Sequence, residues 1–124
     1  MLLDPHPVVQ KGFKTFFKKT ENILVKGTFS TVKELMGFLS ENKAEVVVLE
    51  MELPDGSAVD TIRKVKAMDS ETAILIYTSL PQSIYGISLL KAGAVGYLSK
   101  RVSRKVLIEA IEKVVSTGYH ITSN

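Results

Sequence analysis

The stretch Ala44–Gly56, AEVVVLEMELPDG, decides how the rest of the chain is read. Val46, Val47, Val48 and Leu49 form a short continuous apolar run dominated by β-branched residues. That is the pattern of a strand buried on both faces, as in a parallel sheet. Glu50 follows at once, and then Met51-Glu52-Leu53-Pro54-Asp55-Gly56, whose Pro and Asp-Gly are turn chemistry. Glu50 is therefore expected at the carboxyl end of a central strand, facing a loop, on the edge where open α/β sheets bind ligands.

Working outward, the same alternation repeats. Met1-Leu2-Leu3 is a very short apolar start ending in Asp4, and Asp4-Pro5-His6-Pro7 turns into a helix on which Val9, Phe13, Phe16 and Phe17 face inward and Lys11, Lys14 and Lys18 outward. Ile23-Leu24-Val25 reads as a second strand and Gly27–Ser30 as loop. Ser30 or Thr31 caps a helix running to Asn42, with Leu35, Phe38 and Leu39 inside. Ser57 caps a third helix carrying Val59, Ile62, Val65 and Met68 on its inner face and an Asp60–Lys64 pair on its outer face. Ala73–Tyr77 is another buried strand ending in Thr78-Ser79; Pro81 opens a fourth helix that stops near Ala92-Gly93. Val95–Leu98 is a fifth strand ending at Ser99-Lys100, and a last helix runs from about Ser103 to Thr117, burying Val106, Leu107, Ile111 and Val114 or Val115, with Gly118 ending it.

Strand and helix thus alternate five times through short connections, which implies a doubly wound α/β fold with a parallel sheet and helices on both faces. The strand ends bring Asp4, Glu50, Thr78-Ser79 and Lys100 to one edge.

Composition narrows the function classes. The chain has 124 residues, enough for one domain; it is 45% hydrophobic, 23% charged and carries a formal net charge of +3. It contains no cysteine, which excludes disulfides, thiol catalysis and zinc–thiolate sites. No apolar run approaches the ~20 residues of a membrane span, and no secretory signal opens the sequence, so a cytoplasmic location and no membrane partner are expected. The lysines and arginines are scattered rather than striped; Arg101, Arg104 and Lys105 at the start of the last helix are either a solvated end or a basic rim. No Gly-rich phosphate loop, nucleophile elbow or acid–base pair is present, which argues against a metabolic enzyme.

The chain resembles a receiver domain of the bacterial response regulators, of the LuxR/NarL type. DPHPVVQKG (residues 4–12) is similar to the first strand-to-helix turn of that subgroup, VVVLEMELPDGS (46–57) to the strand and loop carrying the phosphate-accepting Asp, Tyr77-Thr78-Ser79 to the switch hydroxyl, and LLKAGAVGYLSK (89–100) to the fifth-strand signature. The resemblance implies a five-stranded sheet in the order 2-1-3-4-5, a receiver spanning residues 1–118, and, over 119–124, the start of a linker to a helix-turn-helix domain absent from this chain. It implies a pocket of Asp4, Glu50, Thr78 and Lys100, with Thr78 and Tyr97 as switch residues and Glu50 at the phosphoacceptor position.

The departures are specific. The family holds Mg²⁺ on two adjacent acidic residues plus the acceptor Asp; here they read Asp4-Pro5, and the acceptor position is Glu50. Magnesium demands near-octahedral oxygen ligation at about 2.0–2.1 Å. Pro5 supplies no ligand and Glu50 reaches one methylene too far, so a degraded Mg²⁺ site, no cofactor and no standard Asp phosphorylation are expected. Glu50 either mimics the phosphorylated residue through Lys100 and Thr78 or is a drifted position with a local salt bridge. Asp4 is expected to partner Lys100, with cation ligation by Asp4 and Glu50 as the alternative. Asp55 is expected to point outward, Glu52 to be solvated, and His6 to be a turn or pocket-edge residue.

The expected function is that of an atypical receiver of a two-component transcriptional regulator, signalling by protein contact. The expected partners are a second copy, held weakly through the first and last helices, and a histidine kinase or other regulatory protein, with DNA reached only through the absent domain. An orthodox phosphorelay receiver using Mg²⁺ and a stand-alone adaptor are the rivals.

Overall fold

The computed structural model describes residues 1–117. The elements are β1 (Leu2–Leu3), α1 (Pro7–Lys18), β2 (Thr28–Phe29), α2 (Val32–Leu39), β3 (Val46–Leu49), α3 (Ala58–Met68), β4 (Ala73–Thr78), α4 (Gln82–Ala92), β5 (Gly96–Ser99) and α5 (Arg104–Thr117). All strand pairs are parallel and the sheet order is β2-β1-β3-β4-β5.

Side-chain alternation along the strands divides the core in two, because successive residues of a strand point to opposite faces. Leu3, Val47, Leu49, Ile74, Ile76 and Tyr97 pack with Leu35, Ile62, Val65 and Leu89 of α2, α3 and α4. Leu2, Val46, Val48, Leu75, Tyr77 and Leu98 pack with Phe13 and Phe17 of α1 and Leu107, Ile111 and Val114 of α5. Both faces of β3 are therefore covered, which is why its sequence is an unbroken apolar run.

The helix starts follow their caps. Thr31 accepts from the Glu34 amide while Glu34 Oε1 accepts from the Ser30 amide at 3.2 Å and the Thr31 hydroxyl at 3.1 Å, so cap and carboxylate brace the start of α2 together. Ser57 accepts from the Asp60 amide at 3.0 Å and starts α3. Gly93 ends α4 at φ 124°, a conformation that a side chain would strain.

Four expectations are corrected. Residues 23–25 are not the second strand. β1 offers a ladder of two residues, and its register takes Thr28 and Phe29, with Leu2 N donating to Gly27 O and Asp4 N to Phe29 O. Ile23 and Val25 pack, half-buried, against the α1/α5 side while Leu24 is 79% exposed, so the period of two was real but lay ahead of the pairing register. α2 stops at Leu39 rather than Asn42. Met68 (45% exposed) and Val106 (43%) lie outward, on the flanks of apolar stripes that Val65 and Leu107 already fill, while of Val114 and Val115 it is Val114 that is buried. Among the described residues the i,i+4 ion pair on a helix is Lys105–Glu109 at 3.9 Å, and none joins Asp60 to Lys64. Gly118 and the residues after it lie outside the described residues.

Candidate functional site

The carboxyl ends of β1, β3, β4 and β5 lie side by side, so the residues that follow them share one edge of the sheet. Asp4 is fully buried there and Glu50 is 2% exposed. Lys100, following β5, reaches between them: its Nζ lies 2.6 Å from Asp4 Oδ2 and 2.7 Å from Glu50 Oε1. Burial pulls the Lys100 pKa down, but the hydrogen bonds and charges of Asp4 and Glu50 outweigh it and hold the ammonium above its ordinary value.

The second oxygen of each carboxylate is fixed by backbone. Glu50 Oε2 accepts from the Met51 amide at 2.6 Å and the Glu52 amide at 3.4 Å. Asp4 Oδ1 accepts from the His6 amide at 2.9 Å, and the His6 ring Nδ1 lies 2.7 Å from it. Asp4 Oδ2 is buried, and its partner is the Lys100 ammonium at 2.6 Å. Gln10 Nε2 ties the turn together, donating to Asp4 O at 2.7 Å and Ser30 Oγ at 3.0 Å.

The geometry brings Asp4, Glu50 and Lys100 into one cluster. Thr78 is fully buried at the end of β4 beside them. Its hydroxyl accepts from the Leu80 amide at 3.4 Å, and its carbonyl accepts from the Lys100 amide at 2.9 Å. Tyr97 is 3% exposed; its hydroxyl donates to Leu80 O at 2.7 Å and lies 3.5 Å from Met51 Sδ. Burial first, then the Glu50 charge and Tyr85, push the Tyr97 pKa up to about 12. The β4–α4 turn is thus held from below by Thr78 and from the side by Tyr97.

The sequence pattern did not show two contacts. The Asp55 carboxylate accepts from the Val32 amide at 2.8 Å and the Lys33 amide at 3.0 Å, so the loop after Glu50 caps α2 across the sheet edge. Asp55 is exposed, as expected, and these amides hold its carboxyl below the usual range. The Met51 and Glu52 amides are the other; Glu52 keeps its side chain in solvent while its backbone serves Glu50. Arg104 does not rim the site: its guanidinium stacks over the Phe16 ring at 4.5 Å.

A parallel sheet in this order, with two buried carboxylates clasping one lysine at its loop edge, defines a receiver domain. The chain belongs to the response regulator receiver domain family, which its residues 1–112 match. It is 29% identical over 113 residues to the probable transcriptional regulatory protein SgaR of Hyphomicrobium methylovorum, covering 91% of this chain and 54% of that protein. It is 26% identical over 124 residues to the response regulator UvrY of Escherichia coli, covering 100% and 57%. It superimposes with a TM-score of 0.90 and 27% identity on a two-component response regulator of the LuxR family from Aurantimonas sp. SI85-9A1, covering 99% of this chain and 87% of that one. The chain spans about half the length of the curated relatives it matches. Among the described residues no helix is long and apolar enough to cross a membrane.

The family implies a magnesium ion at this edge, and the residues present do not fit it. Position 5 is Pro, Glu50 Oε1 and Asp4 Oδ2 both face the ammonium, the backbone closes Glu50 Oε2, and an imidazole stands on Asp4 Oδ1. That is a mixed nitrogen–oxygen surround rather than an open oxygen shell.

Proposed function

We propose that this chain is the regulatory receiver of a two-component transcriptional regulator, and that Glu50 takes the place of a phosphorylated residue so that the domain signals by protein contact without phosphoryl transfer. The observation that carries this is the clasp on Glu50: one carboxylate meets the Lys100 ammonium and the Met51 and Glu52 amides together, three donors converging on one anion. Charge-assisted hydrogen bonds of this kind are among the strong ones. Tyr97, with its hydroxyl on Leu80 O, then reads the pocket out to the β4–α4 turn. Thr78 contributes through that turn, since its hydroxyl engages the Leu80 amide.

Glu50→Gln tests the clasp. It keeps the shape and removes the charge, so the Met51 and Glu52 amide resonances and the Tyr97 ring resonances are expected to shift together in nuclear magnetic resonance spectra. A Tyr97 environment indifferent to the change would sever pocket from readout and defeat the proposal.

The partners follow from the same reading. A second copy meets this one through α1 and α5, where Lys11, Lys14 and Lys18 are exposed on one helix and Glu109 and Glu112 on the other. A histidine kinase or other regulatory protein addresses the loop edge in the cytoplasm, and DNA is contacted by a further domain of the full-length regulator. The relatives' names, a transcriptional regulatory protein and response regulators, support that assignment.

A further inference from the structure

The loop that leaves Glu50 joins the pocket to a helix on the other side of β3 from the β4–α4 turn. The sheet order places β1 and β2, which α2 follows, on one side of β3 and β4 on the other. Both ends of this short loop are gripped. At one end Glu50 Oε2 accepts from the Met51 amide at 2.6 Å and the Glu52 amide at 3.4 Å. At the other the Asp55 carboxylate accepts from the Val32 amide at 2.8 Å and the Lys33 amide at 3.0 Å, the first two residues of α2.

The stretch between the grips has little slack. Met51 and Leu53 are half-buried against the core that α2, α3 and α4 share with the sheet. Pro54 fixes its own φ and restricts Leu53 before it. Gly56 lies against α2 as well, since a Cβ there would stand 3.6 Å from Val32 Cγ2. The helix at the far end is short, Val32–Leu39, and the residues it buries are Val32 and Leu35. Asp55 therefore holds one of the two residues that seat α2 in the core, and a shift of the loop is a shift of that seat. The helix start does not depend on Asp55 alone, because the Thr31 hydroxyl accepts from the Glu34 amide at 3.1 Å.

We propose that the loop from Met51 to Asp55 is a strap that transmits the Glu50 clasp to α2, so that α2 is set by the pocket alongside the β4–α4 turn. While Glu50 holds the Met51 and Glu52 amides, the strap is drawn in and Asp55 is set against Val32 and Lys33. When that hold weakens, the strap slackens and the Asp55 cap opens more often. Lys33 and Gly37 are exposed on α2, so a protein partner can grip the helix from outside and, by the same coupling, act back on the pocket. The inference rests on the proposed function for the role of Glu50 and adds a second place where that role is felt.

Amide hydrogen exchange of the full chain, followed by nuclear magnetic resonance, tests the strap because it reads local opening. Two grips coupled through one loop must affect each other equally. Glu50→Gln keeps the shape and weakens the hold, so it should speed exchange of the Val32 and Lys33 amides about fivefold or more, and Asp55→Ala should speed exchange of the Met51 amide by a similar factor. The Ile111 amide of α5, on the other face of the sheet, should keep its parent rate in both variants. Val32 and Lys33 amides unmoved by Glu50→Gln, a Met51 amide indifferent to Asp55→Ala, or a speed-up shared by Ile111 would each overturn the proposal. The proposed function is read separately, at Tyr97. A Tyr97 response to Glu50→Gln with α2 unmoved sinks the strap and leaves the function standing; a silent Tyr97 with both grips coupled does the reverse.

Discussion

Glu50 and Lys100 are the residues on which the site turns, and each is committed to the other at 2.7 Å. Removing either alone strands a partner in a buried setting, whereas removing both strands less. A double-mutant cycle with Glu50→Gln and Lys100→Met is expected to show a coupling of about 1–3 kcal/mol in denaturant unfolding. Additive effects would mean the contact contributes nothing. Tyr97 gives a second test. Its folded pKa, about 12, lies above its unfolded value of 10.0, so the proton it retains stabilises the fold fully below pH 10, and that stability drains away as pH rises towards 12. In a tyrosinate absorbance titration, Tyr97→Phe should delete the last-titrating component; deletion of a component near the ordinary value would contradict the burial that causes the shift. At this scale much was legible in the sequence. Asp4, Glu50 and Lys100 were named from strand ends alone, because a parallel sheet brings those ends together whatever the side-chain details. The His6 ring on Asp4 and the Asp55 cap were not, since both depend on where a turn aims a short side chain.

At the scale of elements, α2 begins under two caps, its own Thr31 and the Asp55 carboxylate from the loop after β3. Asp55 has its pKa lowered, first by the Val32 amide and then by the Lys33 amide. A lowered carboxyl pKa contributes stability that is present above the unfolded value and lost as pH falls through the folded one. Wild type and Asp55→Asn should therefore differ in urea midpoint at neutral pH and converge below about pH 4. A gap that persists in acid would show that the cap acts by shape and not by charge. Ser57→Ala, which removes the α3 cap, should cost about 1 kcal/mol, read from the same midpoints. The one element misplaced from sequence was β2. Ile23 and Val25 alternate as a strand does and bury one face, but pairing is decided by β1, which stands level with Thr28 and Phe29. Hydrophobic period reports burial; it does not report register.

For the whole molecule, the doubly wound fold was readable because strand and helix alternate five times, α1, α2, α3 and α5 carry one apolar face each, and short connections leave one topology; α4, with Ile84 and Ile87 exposed, lacks that pattern and was placed by Pro81 and Gly93. How copies meet is not fixed by that pattern. If α1 of one copy faces α5 of another, Lys11, Lys14 and Lys18 oppose Glu109 and Glu112, and exposed pairs of this kind orient more than they bind. Sedimentation should therefore show weak association at low salt that fades as salt rises and is lost in Lys14→Glu with Lys18→Glu. A strict monomer at high concentration and low salt, or a dimer indifferent to the charge reversal, would dismiss this interface. The central claim is that the pocket signals without accepting phosphate, because Pro5 and Glu50 stand where its chemistry needs two acids of the right reach. Intact mass after incubation with acetyl phosphate and magnesium tests it most directly: the account predicts an unchanged mass, and a stoichiometric, acid-labile phosphoryl adduct on Glu50 would contradict it.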